Sequence, residues 1–185
     1  MRCFIGIPIP ENLKRKITEL QKQFENFDIK FVETENLHFN FKFLGEISDP
    51  EFEKTKDILQ EVSKQFKPFE IDITSLGVFP SKNYIRVIWI GVREGFQNLV
   101  ALANVIDDSL AEIVPKEPKK FQPHLTLGRV KSPGNKAELI STIQRHENIE
   151  IGKMKIDRTV LFESRLSPSG PVYSEIFSKS FNHLL

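Results

Sequence analysis

Cysteine is almost missing from this chain: Cys3 is the only one among 185 residues. That excludes an intrachain disulfide and a thiolate metal cluster, and it fits a reducing compartment. No stretch approaches the roughly 18 uninterrupted apolar residues of a membrane span. The opening "MRCFIGIPIP" holds one basic residue and an apolar run cut short by Pro8 and Pro10. It is too short for a signal-peptide core and has no small-residue cleavage site, so it reads as a first strand. Charge of one sign is not in excess either, since 26 Lys and Arg against 25 Asp and Glu leave a net +1. Wrapping a long nucleic-acid duplex, which needs many phosphate-neutralising cations, is thereby excluded. Gripping one phosphate or a short RNA end in a local pocket is not. These absences point to the cytoplasm, with no membrane association and no evident obligate protein partner.

What is present is ordinary for a soluble globular protein: 39% hydrophobic and 28% charged residues. The length suits a single domain, residues 1–185, of two intimately packed lobes. No Gly/Ser linker or low-complexity segment divides it. Four segments carry helical spacing. In "ENLKRKITELQKQF", Leu13, Ile17, Leu20 and Phe24 form one stripe. In "SDPEFEKTKDILQEVSKQF", Asp49 is placed to cap, Pro50 suits the first helical position, and Phe52, Leu59, Val62 and Phe66 make the buried face. "GFQNLVALANVIDDSLAEIV" and "GNKAELISTIQRH" are the other two. Strand-like runs fall at 2–8, 28–33, 37–44, 69–79, 84–92, 123–130, 148–164 and 172–179, and "PSKN" reads as a hairpin turn between the fourth and fifth. The expected class is α+β with mainly antiparallel sheets.

Two of these strands stand out. "ENLHFNFKFLGEIS" places His38 and Asn40 among apolar residues, and "FQPHLTLGRV" does nearly the same with His124 and Thr126. With one such strand in each half, the chain reads as a degenerate internal duplication. Side chains alternate faces along a strand, so His38, Asn40 and Lys42 are expected on one face and Phe39, Phe41 and Phe43 on the other. By the same rule His124 and Thr126 share a face, while Arg129 has the opposite parity and reaches that face only past a bulge.

Two such strands side by side would make a groove suited to a phosphate. Imidazole titrates near pH 6.5, so one ring can be neutral and the other protonated near neutrality. A neutral ring takes a proton from the attacking oxygen, a protonated ring delivers one to the leaving oxygen, and Asn40 and Thr126 can donate to the non-bridging oxygens. No metal or other cofactor is required. Competing readings exist. Asn40, of a type depleted in strands, could instead satisfy a buried backbone group. Two histidines could hold a metal with Glu46 or Asp49, although no third ligand has recognisable spacing. Lys42 and Arg129 are by default solvated charges, and His146 and His183 lack comparable neighbours.

"LHFNFKFLGEI" and "PHLTLGRVK" resemble the paired H-x-T-x motifs of the two-histidine (2H) phosphoesterase superfamily. Within it the chain is similar to the RNA 2′,3′-cyclic phosphodiesterases, also called 2′–5′ RNA ligases. "MRCFIGIPIPENL", "GVFPSKNYIRVIWIGV" and "LFESRLSPSGPVYSEI" resemble the family's opening strand and helix, central hairpin and closing segment. The resemblance implies a bilobal fold with pseudo-twofold symmetry, the histidine strands lining a central cleft. It implies metal-independent opening of a terminal 2′,3′-cyclic phosphate to a 2′-phosphate, on RNA ends such as tRNA halves, with reversible ATP-independent 2′–5′ joining. By position it makes His38 the proton donor and His124 the proton acceptor, an assignment that strand parity, being symmetric, does not make. Thr126 matches its motif; Asn40 stands where Thr is expected. A rival from another class is a non-catalytic RNA- or nucleotide-binding module whose first motif has decayed.

Overall fold

A computed structural model describes residues 1–132, 134–168 and 170–182; His183 lies outside them. Its elements run β1 (Arg2–Pro8), α1 (Glu11–Lys22), β2 (Asp28–Phe31), a 3-10 turn (Thr34–Asn36), β3 (His38–Glu46), α2 (Asp49–Lys64), β4 (Phe69–Ser81), β5 (Tyr84–Val92), α3 (Phe96–Ser109), β6 (Leu125–Ser132), α4 (Lys136–Arg145), β7 (Glu150–Ile156), β8 (Arg158–Ser167) and β9 (Gly170–Ser180). The helices form where the stripes predict them. Leu13, Ile17 and Leu20 are the buried face of α1, and Leu59 and Val62 are buried on α2. Ser48, not Asp49, is the N-cap of α2. The Glu51 carboxylate accepts hydrogen bonds from the Ser48 N–H and Oγ, each at 2.7 Å, because a Ser followed three residues later by Glu closes a capping box.

All strand pairings are antiparallel, in the order β7-β4-β5-β6-β3-β1-β8-β9, with β2 added on β6. The two halves of this sheet meet between β3 and β6 through one pair, Phe39 with Leu125. A full ladder there would make one continuous surface; a single pair lets the halves splay and leaves a cleft. The run at 148–164 does not form one strand. It breaks at Asp157, where β7 ends on the edge beside β4 and β8 begins beside β1 in the other half.

With β2 and the 3-10 turn set aside as an insertion, the order β-α-β-α occurs twice, as β1-α1-β3-α2 and as β5-α3-β6-α4. The first helix of each set is exchanged: α1 packs on β6 and β7, and α3 packs on β3. One large core, from Cys3 to Phe181, lies between the sheet and its helices. A small second cluster of Phe4, Val160 and Phe162, with Tyr173 packed on it, stands apart.

Candidate active site

Both motif strands carry a bulge at the same place. On β3, Asn40 pairs with Gly6 and Lys42 with Ile5, leaving Phe41 unopposed. On β6, Thr126 pairs with Trp89 and Gly128 with Ile88, leaving Leu127 unopposed. An extra residue reverses the alternation beyond it. Phe41 and Lys42 therefore both turn inward, as do Leu127 and Gly128, and the next residues, Phe43 and Arg129, return to the cleft.

This corrects the expectation for Lys42. Its side chain has no exposure, and its ammonium donates to Asp107 Oδ1 and the Pro115 carbonyl, each at 2.6 Å. Glu117 Oε1 lies 3.6 Å away. Lys42 is absent from the cleft wall. Arg129 does reach the cleft, by the bulge that parity demanded.

The cleft has a volume of about 960 Å³ and brings together His38, Asn40, His124, Thr126 and Arg129. The one pair that joins the two strands, Phe39 with Leu125, lies directly between His38 and Asn40 on β3 and between His124 and Thr126 in the second motif, so all four stand at the junction of the halves. Glycine permits the close approach on the first side, since a Cβ at Gly6 would stand 2.3 Å from the Phe39 carbonyl oxygen.

The two rings are held alike. His38 Nδ1 lies 2.6 Å from the Asn36 carbonyl oxygen, and His124 Nδ1 lies 2.7 Å from that of Gln122. A carbonyl only accepts, so each Nδ1 carries a hydrogen and each Nε2 is left for the cleft. Aromatic rings fix their planes. Phe4 is 4.8 Å and Tyr173 5.2 Å from His38, and Phe79 packs edge-on against His124 at 5.0 Å. The second apolar cluster is thus the floor beneath His38. Burial pushes the His38 pKa below the ordinary 6.5, the Asn36 carbonyl opposes this, and a charge on His124 adds to it. Burial also lowers that of His124, opposed by the Gln122 carbonyl and reinforced by Arg129.

Asn40 is exposed and Thr126 half-buried. Among the described residues neither side chain has a hydrogen-bond partner in the protein, so Asn40 does not serve a buried backbone group. His146 Nδ1–H donates to the Thr142 carbonyl at 2.9 Å, its ring packs near Phe24, and it lies away from the cleft. Among the described residues, no three His, Cys, Asp or Glu side chains converge to hold a metal, and no helix is long and apolar enough to cross a membrane.

Several cleft residues escaped the sequence reading. Phe43, 41% exposed, has the Arg2 guanidinium 5.0 Å from its ring centre. Parity alone buried it. Tyr173 had a usable signal, because a chain with 16 Phe and 2 Tyr spends a hydroxyl where a Phe would pack. Its phenol pKa is raised by burial, against Arg129 and Arg2. Lys30, Lys119 and Lys120 also line the cleft and carried no local signature.

Comparison with known proteins agrees with this geometry. The model of the LigT like Phosphoesterase family matches twice, over residues 7–89 and 90–173, one match for each histidine strand. An RNA 2′,3′-cyclic phosphodiesterase of Methanocaldococcus jannaschii is 42% identical over 95% of this chain and 98% of its own. One from Aquifex aeolicus is 33% identical over 95% of each. A crystal structure from Thermus thermophilus superposes with a TM-score of 0.83 at 25% identity, covering 98% of both chains. Escherichia coli LigT in apo form superposes at 0.77 with 22% identity over 98% of both, which speaks for the fold. By two tandem family matches and by relatives aligned over almost its full length, the chain belongs to the LigT-like phosphoesterases.

Proposed function

We propose that this protein opens the 2′,3′-cyclic phosphate at an RNA end to a 2′-phosphate, without a metal, by acid and base catalysis from His38 and His124. The observation that carries this reading is the paired arrangement of two imidazoles, each with Nδ1 spent on a carbonyl and Nε2 free in one cleft. The names of the relatives supply the substrate class. Water attacks phosphorus in line while neutral His124 Nε2 takes its proton. The bond from phosphorus to O3′ breaks, and protonated His38 delivers its Nε2 proton to that oxygen. The product carries a 2′-phosphate and a free 3′-hydroxyl; exchange with water restores both rings. The choice of His38 as acid follows the family resemblance.

Asn40 and Thr126 donate to the non-bridging oxygens, where charge builds up, and Arg129 neutralises it. Phe43, with Arg2 across it, offers an apolar face on which a nucleobase can stack. The two lobes act as a single domain, since the phosphate is held only between them. With the 5′-hydroxyl of a second RNA end in place of water, the same proton transfers join ends, tRNA halves included, through a 2′–5′ bond. No ATP is needed, because the cyclic phosphate supplies the bond that breaks.

The test is turnover of an RNA oligonucleotide ending in a 2′,3′-cyclic phosphate, with chelator present, followed by ³¹P NMR. The expected result is full activity and a 2′-phosphate product. Activity lost with chelator, or a 3′-phosphate product, would overturn the mechanism. Saturable binding with no turnover would return the binding-module reading.

A further inference from the structure

Two buried polar side chains lie behind the cleft, and the mechanism uses neither. One is Lys42, which follows the bulged Phe41 and bonds Asp107 at the end of α3 and the Pro115 carbonyl. Pro115 belongs to the connector that leads from α3 into His124. The other is Gln21 on α1, 7% exposed, whose Nε2 donates to the Val32 carbonyl at 2.9 Å and to the Leu127 carbonyl at 3.2 Å. Leu127 is the bulged residue of β6, and Val32 lies on the connector that leads from β2 into His38.

The two arrangements correspond under the internal duplication, with different residues performing one task. Each joins the bulge of one motif strand to the connector entering the other motif's histidine. The exchange of α1 and α3 between the halves makes this crossing necessary. The connector into His38 also holds the 3-10 turn Thr34–Asn36, and its Val32 N–H donates to the same Leu127 carbonyl at 3.1 Å, so Gln21 reinforces a backbone tie. The connector from α3 to His124 holds no helix or strand, and the sheet halves share one strand pair. A side chain that must be held within a fraction of an ångström needs such support.

We infer that Lys42 and Gln21 are positioning residues that act crosswise: Lys42, on the first motif strand, orients His124, and Gln21, bound to the second motif strand, orients His38. The lysine has a further effect, because Asp107 and Glu117 line a cleft that takes an anion, and its ammonium neutralises them. The inference goes beyond the proposed function, but its catalytic reading rests on it. The test therefore includes a measurement that needs no substrate.

Long-range ¹H–¹⁵N NMR of the imidazoles reports which ring nitrogen carries the hydrogen in each histidine. In Lys42→Met the His124 pattern should lose its fixed Nδ1–H form while that of His38 stays. In Gln21→Leu the reverse should hold. Turnover should fall about 10–100-fold in kcat, the scale of an ångström of misplacement. Lys42→Gln, which keeps a donor for the Pro115 carbonyl, should recover part of both signals. Should Lys42→Met fail to fold, Asp107→Asn, which weakens the same brace, should move His124 in the same direction by less. Unchanged imidazole patterns in all variants, or both histidines moving together in each, would overturn the crossed arrangement, whatever the turnover. Crossed NMR changes in the variants, together with a wild type that does not open cyclic phosphates, would uphold the braces and sink the proposed activity.

Discussion

The two motif strands are close copies in backbone and unlike in side chains. Both place a histidine first, an uncharged donor two residues on, and a bulge directly after that. Past the bulge β3 has Lys42 inward and Phe43 in the cleft, whereas β6 has Gly128 inward and Arg129 in the cleft. Gly128 is small for a reason: a Cβ there would come within 2.6 Å of Ile29 on β2, a strand that covers β6 alone. The comparison teaches that the duplicated backbone sets where groups stand, and the side chains set what chemical character each half presents to the cleft. Past its bulge β6 presents a cation to the cleft, while β3 presents an aromatic face with the Arg2 guanidinium across it.

The largest break in that comparison is removal of either histidine. His38→Ala and His124→Ala should each lose at least 10²–10⁴-fold in kcat, roughly 3–5 kcal/mol of barrier, while staying folded. Steady-state kinetics beside circular dichroism checks this. Near-wild-type turnover by either variant would remove that ring from the mechanism.

A smaller effect is expected from the donors. Asn40→Ala and Thr126→Ala should each lose about 10–10³-fold, mainly in kcat, with little change in melting temperature because neither side chain bonds the protein. Asn40→Thr, which makes the two strands more alike, should keep or improve turnover. A fully active but destabilised Asn40→Ala would return Asn40 to a structural role.

The residues past the bulges should separate by symptom. Arg129→Ala should cost roughly 10–100-fold in kcat/KM through a lost charge-assisted contact, and should flatten the salt dependence, which begins near about −0.7 in log–log slope per phosphate gripped. Phe43→Ala should raise KM by about fivefold or more for a nucleoside cyclic phosphate and leave that slope unchanged. Equal salt effects in the two variants would erase the distinction between the halves.

The mildest expectation concerns pH. Both histidines are held below 6.5, chiefly by burial. A bell-shaped profile peaks between the two apparent values of the pair, so kcat/KM should be highest on the acid side of about 6.5. A bound anionic phosphate favours the protonated rings, so the kcat profile should lie at higher pH. An optimum of kcat/KM above about 7 would contradict the burial argument. The same shifts link to stability. The unfolded chain protonates first as pH falls, so this contribution is present above about 6.5 and lost below it.

Much of this was legible in the residues. Apolar stripes located the four helices, alternation located the strands, and the H-x-N and H-x-T runs located both imidazoles and both donors. What escaped has a common physical cause. Strand parity holds only while pairing is regular, and a bulge is decided by the partner strand; hence Lys42 was expected in the cleft and Phe43 in the core. The break at Asp157 escaped for a similar reason: β7 and β8 have the same local character, and only their pairing partners send them to opposite halves. Lys30, Lys119 and Lys120 reach the cleft through connectors whose paths depend on the exchange of α1 and α3.

The central claim is that two like histidines do unlike work, and a substrate with a sulfur leaving group tests it most directly. A 2′,3′-cyclic phosphate with sulfur in place of O3′ expels a thiolate, which needs no proton from an acid. The account predicts that His38→Ala recovers most of its lost rate on this substrate while His124→Ala stays impaired. Recovery by His124→Ala instead, or equal impairment of both variants, would contradict it.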